Sequence, residues 1–520
     1  MNPKLIVIAL TYVAACGKDS GGGAAGVGSG SGSGSAGPSI AMPAIGVESP
    51  SGFDFTYGKG KDDFAKATAA YKAPAKDWSA IRTSCEAALA KDAGHLDARR
   101  LLASALVQLG DHAAAVDHLV KVIAADWRKY GAAMDADPDL ATLWSTPHGK
   151  AVEDVGGRIG EAVKAIAARR VLVLGRRAAF KWPSKPGAQW AATRAEVYAV
   201  DVDTRRFVRL THTDHSVAAI LPSPSGGEIA VVGYDKVEMP PPDKQATVPP
   251  LLARAWVQAF DPATWEPTAK RATLTKVRGA GVGYAEGDQL VAQSHPPSGR
   301  WMTGPSTSFS IDRATGKLAK IPGPKLSPSA MVALDMGWIE RTPASGIEVS
   351  WDPATEDKPA LAKQVKIGAK VLDVPGGAQV APDGIVASPG GKRFALSTWV
   401  DPCNQEGTEP SIYVVDAATG ALKHLLTGKS RFRVTWVDDE RVLYEDGTGS
   451  LRLWSAADGR EVGKLASKPG LFVGTLDAHT APICRRAPPV VEPATGDEMP
   501  PEDTGSGDVA EPAPGPATTP

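Results

Sequence analysis

The sequence has little of several things, and each shortage excludes a class of function. It has only four cysteines, Cys16, Cys85, Cys403 and Cys484, and none of their spacings resembles a zinc site. No charge of one sign dominates. The 57 basic residues meet 58 acidic ones, leaving a net charge of −1 and no global field to attract nucleic acid. No apolar run approaches the roughly 20 residues that a bilayer core demands of a spanning helix. There is no G-x-S-x-G elbow, no H-E-x-x-H and no phosphate-loop pattern. What is present is a hydrophobic fraction of 43%, ordinary for a globular protein, in a chain of 520 residues with room for two or three domains.

The N-terminus carries a secretory pattern. Lys4 precedes an apolar run from Leu5 to Ala15, and small residues lead to Cys16. The segment Val13-Ala14-Ala15-Cys16 resembles the bacterial lipobox. The resemblance implies a signal peptide over 1–15 and a diacylglyceryl group on the Cys16 sulfur. An ordinary signal peptide with an incidental cysteine is the alternative. Gly21 to Gly37 is almost entirely Gly, Ser and Ala, and the span 16–60 reads as lipid anchor and flexible tether. Gly17-Lys18 lacks the Asp that retains many lipoproteins in the inner membrane, so the outer membrane is favoured.

Residues 61–169 are alanine-rich and periodic at helical spacing. Lys76-Asp77-Trp78 and Gly110-Asp111-His112 lie 34 residues apart, and each opens a helix. Leu102, Ala103, Leu106, Gly110, Ala115 and Leu119 fall where a tetratricopeptide repeat places its packing residues. The earlier copy, with Ala69, Cys85 and Ala88, departs from that pattern, because Lys76 replaces the turn glycine. The resemblance implies two repeats with capping helices near 139–143 and 149–169. So short an array is expected to lean on its neighbour. Cys85 reads as a buried thiol.

Residues 170–486 switch to short β-rich runs between turn clusters. A corner recurs at Asp201, Asp261, Asp312, Asp352, Asp416 and Ser455, each after a strand, at intervals of about 40–65 residues. The Asp or Ser side chain accepts from the backbone ahead of it, and a fifth-position glycine takes a left-handed conformation at low cost. Upstream turns, Ser223 to Gly227 and Ser388 to Gly391, precede further strands. This unit resembles WD-repeat and TolB-like propeller blades. The resemblance implies a short all-α helical-repeat domain followed by an all-β propeller of six or seven blades. The seventh would be assembled from 171–175 and 471–475.

Little chemistry is legible. His212-Thr213-Asp214-His215 is the densest cluster of potential ligands, and it reads as a solvated turn rather than a metal site. Two loops, 239–250 and 401–410, are irregular insertions of the kind that carry binding specificity. Cys403 and Cys484 share the propeller domain, so a disulfide would most readily join them. The tail 487–520 has no Lys or Arg and reads as disordered and acidic. The expectation is a non-catalytic, lipid-anchored scaffold for envelope proteins or peptides, with no metal, cofactor or nucleic acid. The alternative is a propeller with a small-molecule or metal site, sensory or lactonase-like.

Overall fold

The computed structural model describes residues 39–50, 59–132, 134–176, 189–191, 195–213, 216–238, 251–295, 306–324, 326, 329–333, 337–340, 347–352, 361–373, 379–399, 411–427, 433–445 and 450–467. Cys16, Cys403, Cys484, the signal and tail segments, the loops 239–250 and 401–410, and the strand expected at 471–475 lie outside them.

The N-terminal part is helical: α1 (Lys61–Lys72), α2 (Trp78–Lys91), α3 (Leu96–Gln108), α4 (His112–Ala125), α5 (Trp127–Tyr130), α6 (Ala141–Trp144) and α7 (Pro147–Ala168). The two aspartates set 34 residues apart do the same work. Asp77 accepts from Ala80 N at 3.0 Å and Asp111 from Ala114 N at 3.1 Å, each capping the helix that follows. Helix α7 opens on Thr146-Pro147, and its buried stripe of Val152, Val155, Ile159, Val163 and Ile166 follows helical periodicity. Cys85 is fully buried and free, and burial pushes its thiol up to about 12. Among the described residues, no helix is long and apolar enough to cross a membrane.

The rest is sheet. Strands β1 (Leu172–Arg176), β2 (Gln189–Ala191), β3 (Ala195–Asp201), β4 (Arg206–Arg209), β5 (Ser216–Pro222), β6 (Ile229–Glu238), β7 (Leu251–Phe260) and β8 (Ala272–Val277) form the first sheet. Its order is β1-β3-β5-β6-β7-β8, with β4 on β3 and β2 on β6. Its two parts meet through one parallel residue pair, Ala195 with Ser216. The second sheet comprises β9 (Gly279–Ala285), β10 (Gln289–His295), β11 (Thr307–Ile311), β12 (Leu318–Ile321), β13 (Ser329–Ala333) and β14 (Gly337–Glu340), in the order β12-β11-β10-β9-β13-β14. A three-stranded sheet follows, β15 (Ile347–Asp352), β16 (Leu361–Ile367) and β17 (Lys370–Val371). Two four-stranded meanders complete the described residues: β18 (Gln379–Ala387), β19 (Arg393–Trp399), β20 (Ser411–Asp416) and β21 (Leu422–Thr427), then β22 (Arg433–Trp436), β23 (Arg441–Glu445), β24 (Ser450–Ser455) and β25 (Arg460–Ser467).

Each expected corner falls at one topological position, between a strand and the antiparallel strand after it: β3–β4, β7–β8, β11–β12, β15–β16, β20–β21 and β24–β25. Asp416 is typical. Its carboxylate accepts from Ala418 N at 3.0 Å, Thr419 N at 2.8 Å and Thr419 Oγ1 at 2.8 Å, while Gly420 N donates to Asp416 O. Asp261 and Asp312 repeat this geometry, and Ser455 reproduces it with a hydroxyl. Asp352 ends β15, and the four residues after it lie outside the described set.

These bonds to backbone and threonine hold the Asp261, Asp312 and Asp416 carboxyls below the usual range. A depressed carboxyl contributes stability that is present above its unfolded value and lost as pH falls through the folded one. The triple Asn variant is therefore expected to show a flatter stability curve below pH ~4 than the parent. Asp416→Ala alone should cost about 1 kcal/mol. Urea melts between pH 2 and 7 check both, and parallel acid limbs for parent and triple variant would refute the assignment.

The helical and strand parts share one core. Leu119, Ile123, Val155, Ile159 and Val163 cluster with Leu172, Val197, Val208, Ile220, Trp256 and Trp265. A second cluster joins the beginning and end of the strand region, packing Val171, Val173, Val200 and Phe207 with Leu443, Leu451, Leu453 and Leu465.

Candidate functional site

The densest polar construction among the described residues lies where the helical part meets the first strands. Asp126 follows α4 and caps α5, and its side chain is wholly buried. His212 Nε2 sits 2.9 and 3.0 Å from its two carboxylate oxygens, and Arg209 Nη1 is 3.6 Å away. The turn read above as solvated is therefore a docking point. His212 and Thr213 reach back to the helices and to Glu196, while Asp214 and His215 lie outside the described residues.

Glu196, on β3, completes the network. It accepts from Thr211 Oγ1 at 2.6 Å, Thr213 N at 2.9 Å and Arg209 Nη2 at 3.3 Å. Burial pushes its carboxyl up, against the pull of Arg209, Thr211 and Thr213. On the helical side, Tyr130 Oη and Lys129 Nζ both donate to Asp97 at 2.6 Å. Two carboxylates thus enclose one guanidinium and one imidazole, which is the pairing that buried charge requires. This arrangement fixes one unit upon the other.

Two of the three corners that lack glycine also belong to this junction. Arg205 and Trp265 occupy the left-handed position, each with φ +57°, where Gly316, Gly420 and Gly459 stand in other copies. Trp265 is only 2% exposed, packs beside Phe260 and lies in the core shared with the helices. Arg128, on α5, donates to the Thr264 and Trp265 carbonyls and pairs with Glu266 at 2.8 Å. Arg205 lies over β25, where a Cβ on Gly463 would come within 3.2 Å of its Nη2. Beside it, Arg441 Nη1 reaches Asp203 at 2.9 Å, and Arg169 reaches Asp201 and Asp203 at 3.3 Å. A bulky residue in the glycine slot was the sequence signal for both contacts. At Trp265 the left-handed strain is offset by burial of the side chain in the shared core.

Residues 39–50 run through the same junction, although they fall in the span read as tether. Gly46 N donates to Ala124 O at 2.7 Å, and Val47 forms an antiparallel bridge with Phe207 on β4. Arg206 donates to the Ile45 and Gly46 carbonyls, Arg158 to that of Ile40. Ile40 and Ile45 pack on the shared core, an option closed to the Gly/Ser run before them.

Among the described residues, no three His, Cys, Asp or Glu side chains converge as metal ligands. The structural corner residues do not converge either, being spread one to each strand pair.

No protein-family model and no curated protein sequence matches the chain. Among solved structures it is similar to TolB from Acinetobacter baumannii, at 14% identity over 62% of this chain and 71% of that one, with a TM-score of 0.29. It is also similar to apo AztD from Citrobacter koseri, at 10% identity over 58% and 96%, TM-score 0.26. A third is an uncharacterized protein from Listeria monocytogenes, at 9% identity over 56% and 94%, TM-score 0.31.

Proposed function

We propose that this chain is a lipid-anchored, non-catalytic scaffold of the bacterial envelope, in which a tetratricopeptide-like helical unit and a six- or seven-bladed propeller hold envelope proteins or peptides. Cys16 carries the lipid, and the outer membrane is the favoured site. The observation that carries this reading is the shared core with its buried Asp126–Arg209–His212 connection, which locks two kinds of repeat surface in a fixed relation. A scaffold needs that rigidity, because partners held by loosely linked modules gain little from being held together. The propeller reading is supported by the recurring corner and by the packing of the last meander on the first strands.

Both irregular insertions join the second and third strands of their meanders, β6 to β7 and β19 to β20. In each meander the strand ends that flank the insertion lie at the opposite end of the third strand from the corner. The test is photo-crosslinking in intact cells, with the reactive residue placed in 239–250 or 401–410 of the full-length chain. Specific envelope proteins captured from these positions, but not from the corner at Asp312, support the scaffold. An empty capture list at good crosslinking yield rejects it. Separately, Cys16→Ser should move the protein from the membrane to the soluble fraction. Unchanged membrane retention would remove the lipid anchor from the reading.

A further inference from the structure

We propose that Arg278 anchors a binding site for a small oxyanion ligand, a carboxylate or phosphate group. Arg278 is the single residue between β8, at the edge of the first sheet, and β9, in the interior of the second. It is 7% exposed, and its Nε and Nη1 are enclosed with no hydrogen-bond partner among the described residues. A guanidinium cannot shed its proton to escape this situation. An uncompensated buried charge is strongly destabilising, so folded proteins supply a counter-charge.

The comparison with Arg209 is direct. That guanidinium, 9% exposed, is the other arginine buried among the described residues, and it has two carboxylates, Asp126 and Glu196. Even exposed arginines of the same sheets are paired: Arg254 with Asp235 at 2.5 Å, and Arg313 with Glu228 at 2.8 Å. Backbone carbonyls offer Arg278 little. Strand β9 is hydrogen-bonded on both sides, and its first residue, Gly279, already faces His295 on β10 and Ala333 on β13. Two residues before Arg278, the exposed Lys276 adds a second positive charge nearby in the chain. An enclosed guanidinium fork with a second cation two residues away in the chain fits an oxyanion rather than an apolar or cationic ligand. The site does not depend on the scaffold reading.

Asp335 is the internal competitor. It lies outside the described residues, two positions beyond Ala333, and is the carboxylate nearest in sequence to the strand that pairs with the start of β9. The experiment therefore uses the full chain in four forms: parent, Arg278→Met, Arg278→Lys and Asp335→Asn. Thermal melts are compared in chloride, acetate and inorganic phosphate at matched ionic strength. The parent should gain about 2–4 °C at saturating oxyanion. Arg278→Met should lose that gain, and in chloride should melt no lower than the parent, since its uncompensated charge is gone. Arg278→Lys keeps the charge without the fork, and its half-saturating concentration should rise at least tenfold; it is the readout if Arg278→Met fails to fold. Asp335→Asn should respond like the parent. The arm that responds at lower concentration, acetate or phosphate, assigns the ligand class. The proposal is overturned if the parent is indifferent to both anions, if Arg278→Met responds as the parent does, or if Asp335→Asn destabilises the chloride form and abolishes the response.

Discussion

Asp126→Ala should lower the stability of the whole protein by about 3–5 kcal/mol, the cost of breaking a buried charged pair from one side. The substitution leaves Arg209 with Glu196 as its one carboxylate, removes the partner of His212 Nε2, and deletes the cap that Lys129 N finds 3.4 Å away. Against a typical total of about 5–15 kcal/mol, such a loss is large. It should also change the form of the transition. With the connection cut, the helical part should melt ahead of the strands, so circular dichroism at the helical minimum and tryptophan fluorescence should no longer coincide in urea. Asp126→Asn keeps the shape and some hydrogen bonding, and should lie between the two. A midpoint equal to the parent's would show that the network contributes packing alone.

The second large effect is expected at Gly46→Val. Gly46 has φ +74°, and a Cβ there would lie 2.4 Å from the Phe207 carbonyl oxygen. That oxygen cannot give way, because Val47 N donates to it at 2.9 Å. A β-branched residue meets both the clash and the left-handed penalty of about 1–2 kcal/mol. Residues 39–50 should detach, uncovering the edge of β4, and an uncovered edge invites pairing with another chain. Hydrogen exchange should rise over 39–50 and 206–210, and sedimentation should show oligomers. Gly157→Ala is the control of opposite sign. Gly157 is exposed on α7, with nothing within 4 Å of its Cβ position, so alanine there should stabilise by about 1 kcal/mol. Unchanged exchange in Gly46→Val would mean that the strap is held by its arginine contacts alone.

The two variants act on features that sequence reading treated unequally. The caps at Asp77 and Asp111 and the corners at Asp261, Asp312 and Asp416 were legible because their bonds close within three residues of the side chain that makes them. A local bond leaves a local pattern, and repetition makes that pattern visible. His212 was read as solvated because its partner, Asp126, is 86 positions away. Residues 39–50 were read as part of the tether spanning 16–60, although Ile40 and Ile45 were the signal that this stretch could be buried.

By itself, then, the sequence determined where helices give way to strands, where each strand pair turns, and which residues cap and brace those turns, all through interactions a few residues long. Only the tertiary structure decided which corners abandon glycine to serve a contact, which charges meet in the shared core, and that Arg278 is enclosed at the bend between two sheets. Those outcomes depend on burial, and burial is set by chain segments far apart in sequence, whose approach no local spacing records.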